Sequence, residues 1–167
     1  MAGQVQENGN LRRYRRGSEI GVNMTDRREL LEAGAYLLLL LLAITASQHM
    51  NVVVSGSMEP VFYRGDIVII EKTDFFGISE LDPKTLKVGD IIIYDATWFP
   101  EPVIHRVIKV GRDAGGEKYY VTKGDNNPSP DPAPVYPSQV KARVLTVNSQ
   151  PVMIPKVGYL TIWLKGL

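Results

Sequence analysis

The rhythm of apolar and polar positions changes twice along the chain. Residues 1–28 are polar and hold no apolar run. The stretch from Leu30 to Ala46 is then apolar without any period, and no Asp, Glu, Lys or Arg occurs from Ala33 to Met58. The six consecutive leucines Leu37–Leu42 cover every side of a helix, which an amphipathic surface helix does not do. A bilayer core takes roughly 20 mostly apolar residues in helical form. Leu30 to Met50 supplies that length, and Ala, Leu and Met favour helix. A membrane-spanning helix over 29–50 is therefore expected, in preference to a buried helix of a soluble domain. Glu32 lies close enough to its start to reach the headgroups.

From Val52 onward the pattern is that of strands, short runs rich in Val, Ile and Tyr between Gly, Pro and Asp. The expected strands are Val52–Val54, Asp66–Glu71, Asp90–Tyr94, Val103–Val110, Lys118–Lys123 and Lys141–Val147. Gly65-Asp-Ile-Val-Ile-Ile70 echoes Gly89-Asp-Ile-Ile-Ile-Tyr94, so two Gly-Asp turns are each expected to launch a strand buried on both faces. Asn126-Asn-Pro-Ser-Pro-Asp-Pro-Ala-Pro134 is a loop, because proline removes the N–H and fixes φ. The apolar C-terminal stretch from Val152 is interrupted by Pro155 and Gly158 and is too short to span a bilayer. It reads as a core strand or as a segment lying on the membrane through Tyr159 and Trp163. The fold class is mainly β: one small β domain over 51–167, preceded by one transmembrane helix.

Charge orients this plan. Arg12, Arg13, Arg15, Arg16, Arg27 and Arg28 precede the apolar run, and the next basic residue is Arg64. The positive-inside rule puts a tail of residues 1–28 in the cytoplasm and residues 51–167 outside or in a lumen. A cleaved signal peptide is the rival reading, but the apolar stretch starts late and Ala43-Ile-Thr-Ala46-Ser-Gln is a loose match to a cleavage site. An uncleaved signal anchor is preferred. With 19 basic against 18 acidic residues, a nucleic-acid partner is not indicated. The absence of cysteine and the presence of two histidines, His49 and His105, exclude disulfide scaffolds, thiolate zinc sites and multi-histidine metal sites.

The candidate chemistry lies in loops and at one strand. Ser55-Gly-Ser-Met-Glu-Pro60 follows the membrane exit closely, and a Ser beside Gly can stand exposed on a tight turn. His105 is the one imidazole of the β domain and so the natural general base near pH 7. Strand alternation puts it on one face with Val103, Val107 and Lys109. Asp125 and Asp131 lie in the Gly/Asn/Pro loop, and either could hold the histidine tautomer of a serine protease. The Val52–Val54 run with Met58 is either an apolar lip touching lipid or core.

These segments together resemble a type I signal peptidase of the archaeal and endoplasmic-reticulum class, over roughly Leu30 to Trp163. The resemblance rests on their order: the anchor; Ser55-Gly-Ser-Met-Glu-Pro60 with Arg64-Gly-Asp66; Val88-Gly-Asp-Ile-Ile-Ile-Tyr94; Ile104-His-Arg-Val107; Thr122-Lys-Gly-Asp-Asn-Asn127; and Ile154-Pro-Lys-Val-Gly-Tyr159. It implies Ser57 as nucleophile, His105 as base and Asp131 as the acid of the triad. Asp125 is then a second important acid with a more structural role, pairing with Arg106 or Lys123. The Ser55 hydroxyl and the Ser57 N–H are implied as the oxyanion hole. The implied substrate is the signal peptide of an exported preprotein, cut after a small residue, with no metal or organic cofactor. The bilayer, the secretion translocon and other signal peptidase subunits are the further partners it suggests. A second apolar span follows the Ile-Pro-x-x-Gly-Tyr segment in many relatives and is not found before Leu167. Two alternatives compete: a Ser–Lys protease using Lys109, and a non-catalytic membrane-anchored β subunit.

Overall fold

The computed structural model describes residues 24–74 and 80–166; the arginine cluster Arg12–Arg16 lies outside the described residues. The chain forms two compact units, one ending at Leu42 and the other running from Ala43 to Leu167. The first is the body of helix α1, which as a whole spans Met24–Ser47. Within it, Arg27–Ser47 has a mean hydropathy of 2.0 and is long and apolar enough to cross a membrane. Its leucines Leu37–Leu42 are all exposed, as a lipid-facing helix requires and a core helix would not allow.

The second unit is an antiparallel β domain. Its strands are β1 (Met50–Val52), β2 (Ile67–Lys72), β3 (Ile91–Tyr94), β4 (Val103–Arg112), β5 (Lys118–Lys123), β6 (Val140–Val144), β7 (Thr146–Val147), β8 (Gln150–Pro151) and β9 (Met153–Ile154). The main sheet runs β1-β2-β6-β3-β4-β5, with β9 also paired to β2, and β7 and β8 form a separate hairpin. The expected strand Lys141–Val147 is thus two strands broken at Leu145, whose N–H turns to the Ile69 carbonyl and whose carbonyl takes the Val152 N–H.

The two Gly-Asp turns share one geometry. Gly65 and Gly89 sit at φ 90 and 99, the left-handed region that glycine adopts without cost. In each turn the aspartate carboxylate accepts the N–H three residues back, Tyr63 to Asp66 at 2.8 Å and Lys87 to Asp90 at 3.0 Å. The strand launched by the second, β3, is buried on both faces. Ile91 and Ile93 enter a core with Val53, Met58 and Phe62, while Ile92 and Tyr94 enter another with Val103, Val107 and Tyr120. In β2 the burial alternates instead, so only the second turn launches a doubly buried strand.

Open readings narrow here, and one expectation needs correction. Of the two readings of the Val52–Val54 run with Met58, the core one holds for Val53 and Met58, which are buried, while Val54 is exposed. Lys109 does not share the His105 face. Register shifts between Val107 and Lys109, a bulge inserts Ile108, and Lys109 turns to solvent. The C-terminal stretch is not a core strand: after the short β9 it forms helix α2, Tyr159–Lys165, with Ile162 inward and Leu160, Trp163 and Leu164 exposed. Gly158 makes that turn possible, because a Cβ there would stand 2.8 Å from the Gly65 carbonyl oxygen.

Candidate active site

Direct cross-strand partners project from the same face of a sheet. Ile92 pairs with His105 and Val107 with Thr122, so Tyr94, His105 and Thr122 project on one face from β3, β4 and β5. The proline-rich loop folds back over it. Asp131 N–H bonds to the Thr122 carbonyl at 2.8 Å, and Val135 and Tyr120 exchange two backbone bonds of 2.8 Å. The loop is thus pinned to β5 at Asp131 and just past its end at Val135, and its prolines leave little entropy to lose.

The result is a line of three side chains. His105 Nδ1 lies 2.7 Å from Asp131 Oδ2, and His105 Nε2 lies 3.1 Å from Ser57 Oγ. A carboxylate only accepts, so Nδ1 carries the proton and Nε2 is free to take one from the serine. The His105 and Asp131 side chains are 4% and 3% exposed, which shields their interaction from water. Burial alone would push the Asp131 carboxyl up. Hydrogen bonds outweigh it, first the one from His105 and with it the one from Tyr94, and hold the carboxyl below its usual range. Asp131, not Asp125, is therefore the aspartate facing the histidine.

Asp125 has another task. Arg106 Nε and Nη2 donate to its two oxygens at 2.9 and 2.7 Å, and Arg106 Nη1 donates to the Gly89 carbonyl at 3.0 Å. This bidentate pair ties the loop after β5 to β4 and to the second Gly-Asp turn. The next residue then grips the serine loop: Asn126 N–H donates to the Ser57 carbonyl at 2.8 Å and Asn126 Nδ2 to the Gly56 carbonyl at 3.1 Å. From the other side Met58 and Phe62 anchor the loop in the core. Asn126, Tyr94 and Thr122 were not singled out from the sequence. All three lie within the ordered segments that carry the resemblance, Tyr94 and Thr122 at segment ends and Asn126 as an amide inside the Gly-Asp-Asn-Asn run.

Contact in this corner is tight. A Cβ on Gly124 would stand 2.6 Å from the Ser57 carbonyl oxygen and 2.8 Å from His105 Nε2. Gly124→Ala is expected to lower stability by about 1–3 kcal/mol through overpacking. It should cost about a hundredfold in rate, because serine and histidine are pushed apart. Melting temperature and turnover, measured side by side, check both; an alanine variant equal to wild type in the two would show that the corner yields freely.

Ser55 Oγ lies 3.2 Å from Ser57 Oγ. Both serines and His105 border a cleft of about 580 Å³, whose walls include Val54, Trp98, Phe99 and Ile104. Lys109, beyond the bulge, is not among its lining residues. A hydroxyl against an imidazole nitrogen, backed by a buried carboxylate and opening on a mainly apolar cleft, is suited to attack a peptide carbonyl.

No protein-family model matches the chain. Individual proteins do. The catalytic subunit of the signal peptidase complex of Eremothecium gossypii is 36% identical, over 78% of this chain and 75% of that protein. Its counterpart in Saccharomyces cerevisiae is 33% identical, over 80% and 77%. The chain belongs to the archaeal and endoplasmic-reticulum family of type I signal peptidases. An uncharacterised protein of Methanocaldococcus jannaschii, 35% identical over 70% of this chain and 84% of its own length, is similar as well. Membership in this signal peptidase family makes the chain a peptidase, and its apolar N-terminal helix fits a membrane-anchored one.

Proposed function

We propose that this signal peptidase removes N-terminal signal peptides from exported preproteins as a serine endopeptidase, cutting after small residues. The observation that carries the reading is the unbroken line Ser57–His105–Asp131, which ends in the cleft. His105 takes the Ser57 proton, and Ser57 Oγ attacks the carbonyl carbon and forms the C–O bond. The tetrahedral intermediate collapses as His105 passes the proton to the leaving amine, releasing the mature chain and leaving the signal peptide as an acyl ester. Water, deprotonated by His105, then cleaves that ester. The substrate lies extended along the free side of β1, an edge strand of the sheet, in strand-addition fashion. The residues before Arg27 form the cytoplasmic tail and Arg27–Ser47 the anchor, which starts and ends slightly before the expected 29–50. The chain from β1 at Met50 onward is the catalytic domain on the opposite side of the bilayer. The arginine asymmetry supports that orientation.

Ser55 completes the oxyanion hole with the Ser57 N–H. Ser55→Ala is expected to lower kcat by about 10²–10³ with little change in KM, the loss typical of one such donor. A steady-state assay checks it, and a loss confined to KM would move Ser55 from catalysis to substrate binding.

The test of the function uses full-length protein in lipid vesicles, a preprotein with alanine at the cleavage position, and a copy with phenylalanine there. The first should be cut after the alanine and the second spared. A serine-directed phosphonate should attach to Ser57 and stop the reaction. Equal cleavage of both preproteins would remove the small-residue specificity, and undiminished activity after labelling of Ser57 would remove the serine mechanism.

A further inference from the structure

In the mechanism above, Asp131 serves His105 through a single oxygen, Oδ2. That same atom has a second partner: Tyr94 Oη donates to it at 2.7 Å, as closely as His105 Nδ1 does. The tyrosine oxygen in turn accepts from Thr122 Oγ1 at 3.1 Å. Both residues are completely buried, and they come from β3 and β5, the strands flanking the one that carries His105.

A buried phenol needs an acceptor, and a carbonyl of the sheet would serve for packing alone. Here the acceptor is a buried carboxylate, which makes the bond charge-assisted. The threonine decides the direction, because it donates to the Tyr94 oxygen and leaves the phenol proton for Asp131. Burial first, and the neighbouring carboxylate with it, push the Tyr94 hydroxyl well above its usual range. It therefore keeps its proton throughout the working pH range.

We propose that Tyr94 is a positioning residue of the peptidase: its hydroxyl, oriented by Thr122, holds Asp131 Oδ2 in line with His105 Nδ1. The inference rests on the serine–histidine–aspartate reading of the site. Among the described residues, the ionisable groups bonded to the carboxylate are His105 from β4 and Tyr94 from β3. Arg106 and Asp125, next along the same elements, are closed on each other. The tyrosine ring fills the core whether or not it carries a hydroxyl, so the phenylalanine variant isolates the bond from the packing. Removing the donor has two consequences. The carboxylate gains freedom to rotate off the histidine, which slows the chemical step. It also keeps more of its charge for the His105 proton, which moves the acid limb of the rate profile to higher pH.

The experiment measures preprotein cleavage by full-length protein in lipid across pH, for wild type, Ser57→Ala, Tyr94→Phe, Thr122→Val and Thr122→Ser. For Tyr94→Phe we expect kcat about tenfold lower, KM unchanged, and the acid limb of kcat/KM raised by about half a pH unit. Thr122→Val should move both in the same direction by less, and Thr122→Ser, which keeps a hydroxyl, should restore wild-type behaviour. A Tyr94→Phe enzyme with wild-type kcat and an unmoved limb overturns the proposal. So does one that loses activity and melting temperature together while the limb stays in place. If Tyr94→Phe does not fold, Thr122→Val decides by the same shift. Failure of the underlying reading looks different: wild type then does not cut, or Ser57→Ala cuts as well, and the proposal falls with it.

Discussion

Ser57→Ala is expected to abolish signal-peptide cleavage, with a fall in kcat of about 10⁶, the order lost when a serine protease is deprived of its nucleophile. The fold should be untouched. The Ser57 side chain bonds to His105 Nε2 and Ser55 Oγ, while its backbone is held independently by Asn126 and by the buried Met58 beside it. Removing the hydroxyl leaves His105 with its Asp131 bond, and no buried charge loses its partner. Melting temperature should therefore stay at the wild-type value, and uncut preprotein should still bind, because the cleft walls are unchanged. Cleavage assay, thermal melt and pull-down of the full-length preprotein check the three parts. Cleavage by Ser57→Ala at the wild-type rate would transfer the nucleophile's role to another group.

Much of this arrangement is legible in the sequence alone, and the part that is not has a common cause. The anchor was legible because Leu37–Leu42 leave no polar face. The strands were legible because their Val, Ile and Tyr runs are bounded by Gly, Pro and Asp. Ser57, His105 and Asp131 came from ordered motifs, and the structure brings all three within hydrogen-bond reach. What escaped depends on register between distant segments. The bulge at Ile108 exists only relative to β5, so simple alternation carried Lys109 onto the wrong face. Tyr94 and Thr122 looked like ordinary strand residues. Their role arises because β3, β4 and β5 are neighbours and because the loop bearing Asp131 returns over them, 37 residues after Tyr94. Gly124 looked like any turn glycine, since the carbonyl that excludes a Cβ there belongs to Ser57, far back in the chain. Helix α2 was hidden by Pro155 and Gly158, which read as interruptions of a strand and in fact precede a helix.

Asp131→Asn should be nearly as damaging to the reaction as loss of the serine, and for a different reason. The shape of the side chain survives, so substrate binding and KM should hold. The chemistry changes, because the carboxylate accepts at Oδ2 from both His105 and Tyr94, whereas an amide offers one oxygen acceptor and presents N–H donors on its other side. With the amide nitrogen at the Oδ2 position a donor faces His105 Nδ1, so the imidazole shifts its proton to Nε2 and can no longer take one from Ser57. With the amide oxygen there both bonds survive, but the negative charge that stabilises the imidazolium is gone. The corresponding change in a well-characterised serine protease lowers kcat by about 10⁴, and a loss of that order is expected here. Stability should lose a pH dependence as well. The Asp131 carboxyl is held below its usual range in the folded chain. Its ionisation therefore adds stability above the ordinary carboxylate range, and that contribution disappears as pH falls through the lowered value. In the wild type, part of the fall in melting temperature on acidification below that range comes from this one group; in Asp131→Asn that part should be missing. Melting curves recorded on both proteins down to strongly acid pH measure the difference. Parallel curves, together with a kcat within tenfold of wild type, would mean that Asp131 neither carries its charge in the fold nor orients His105.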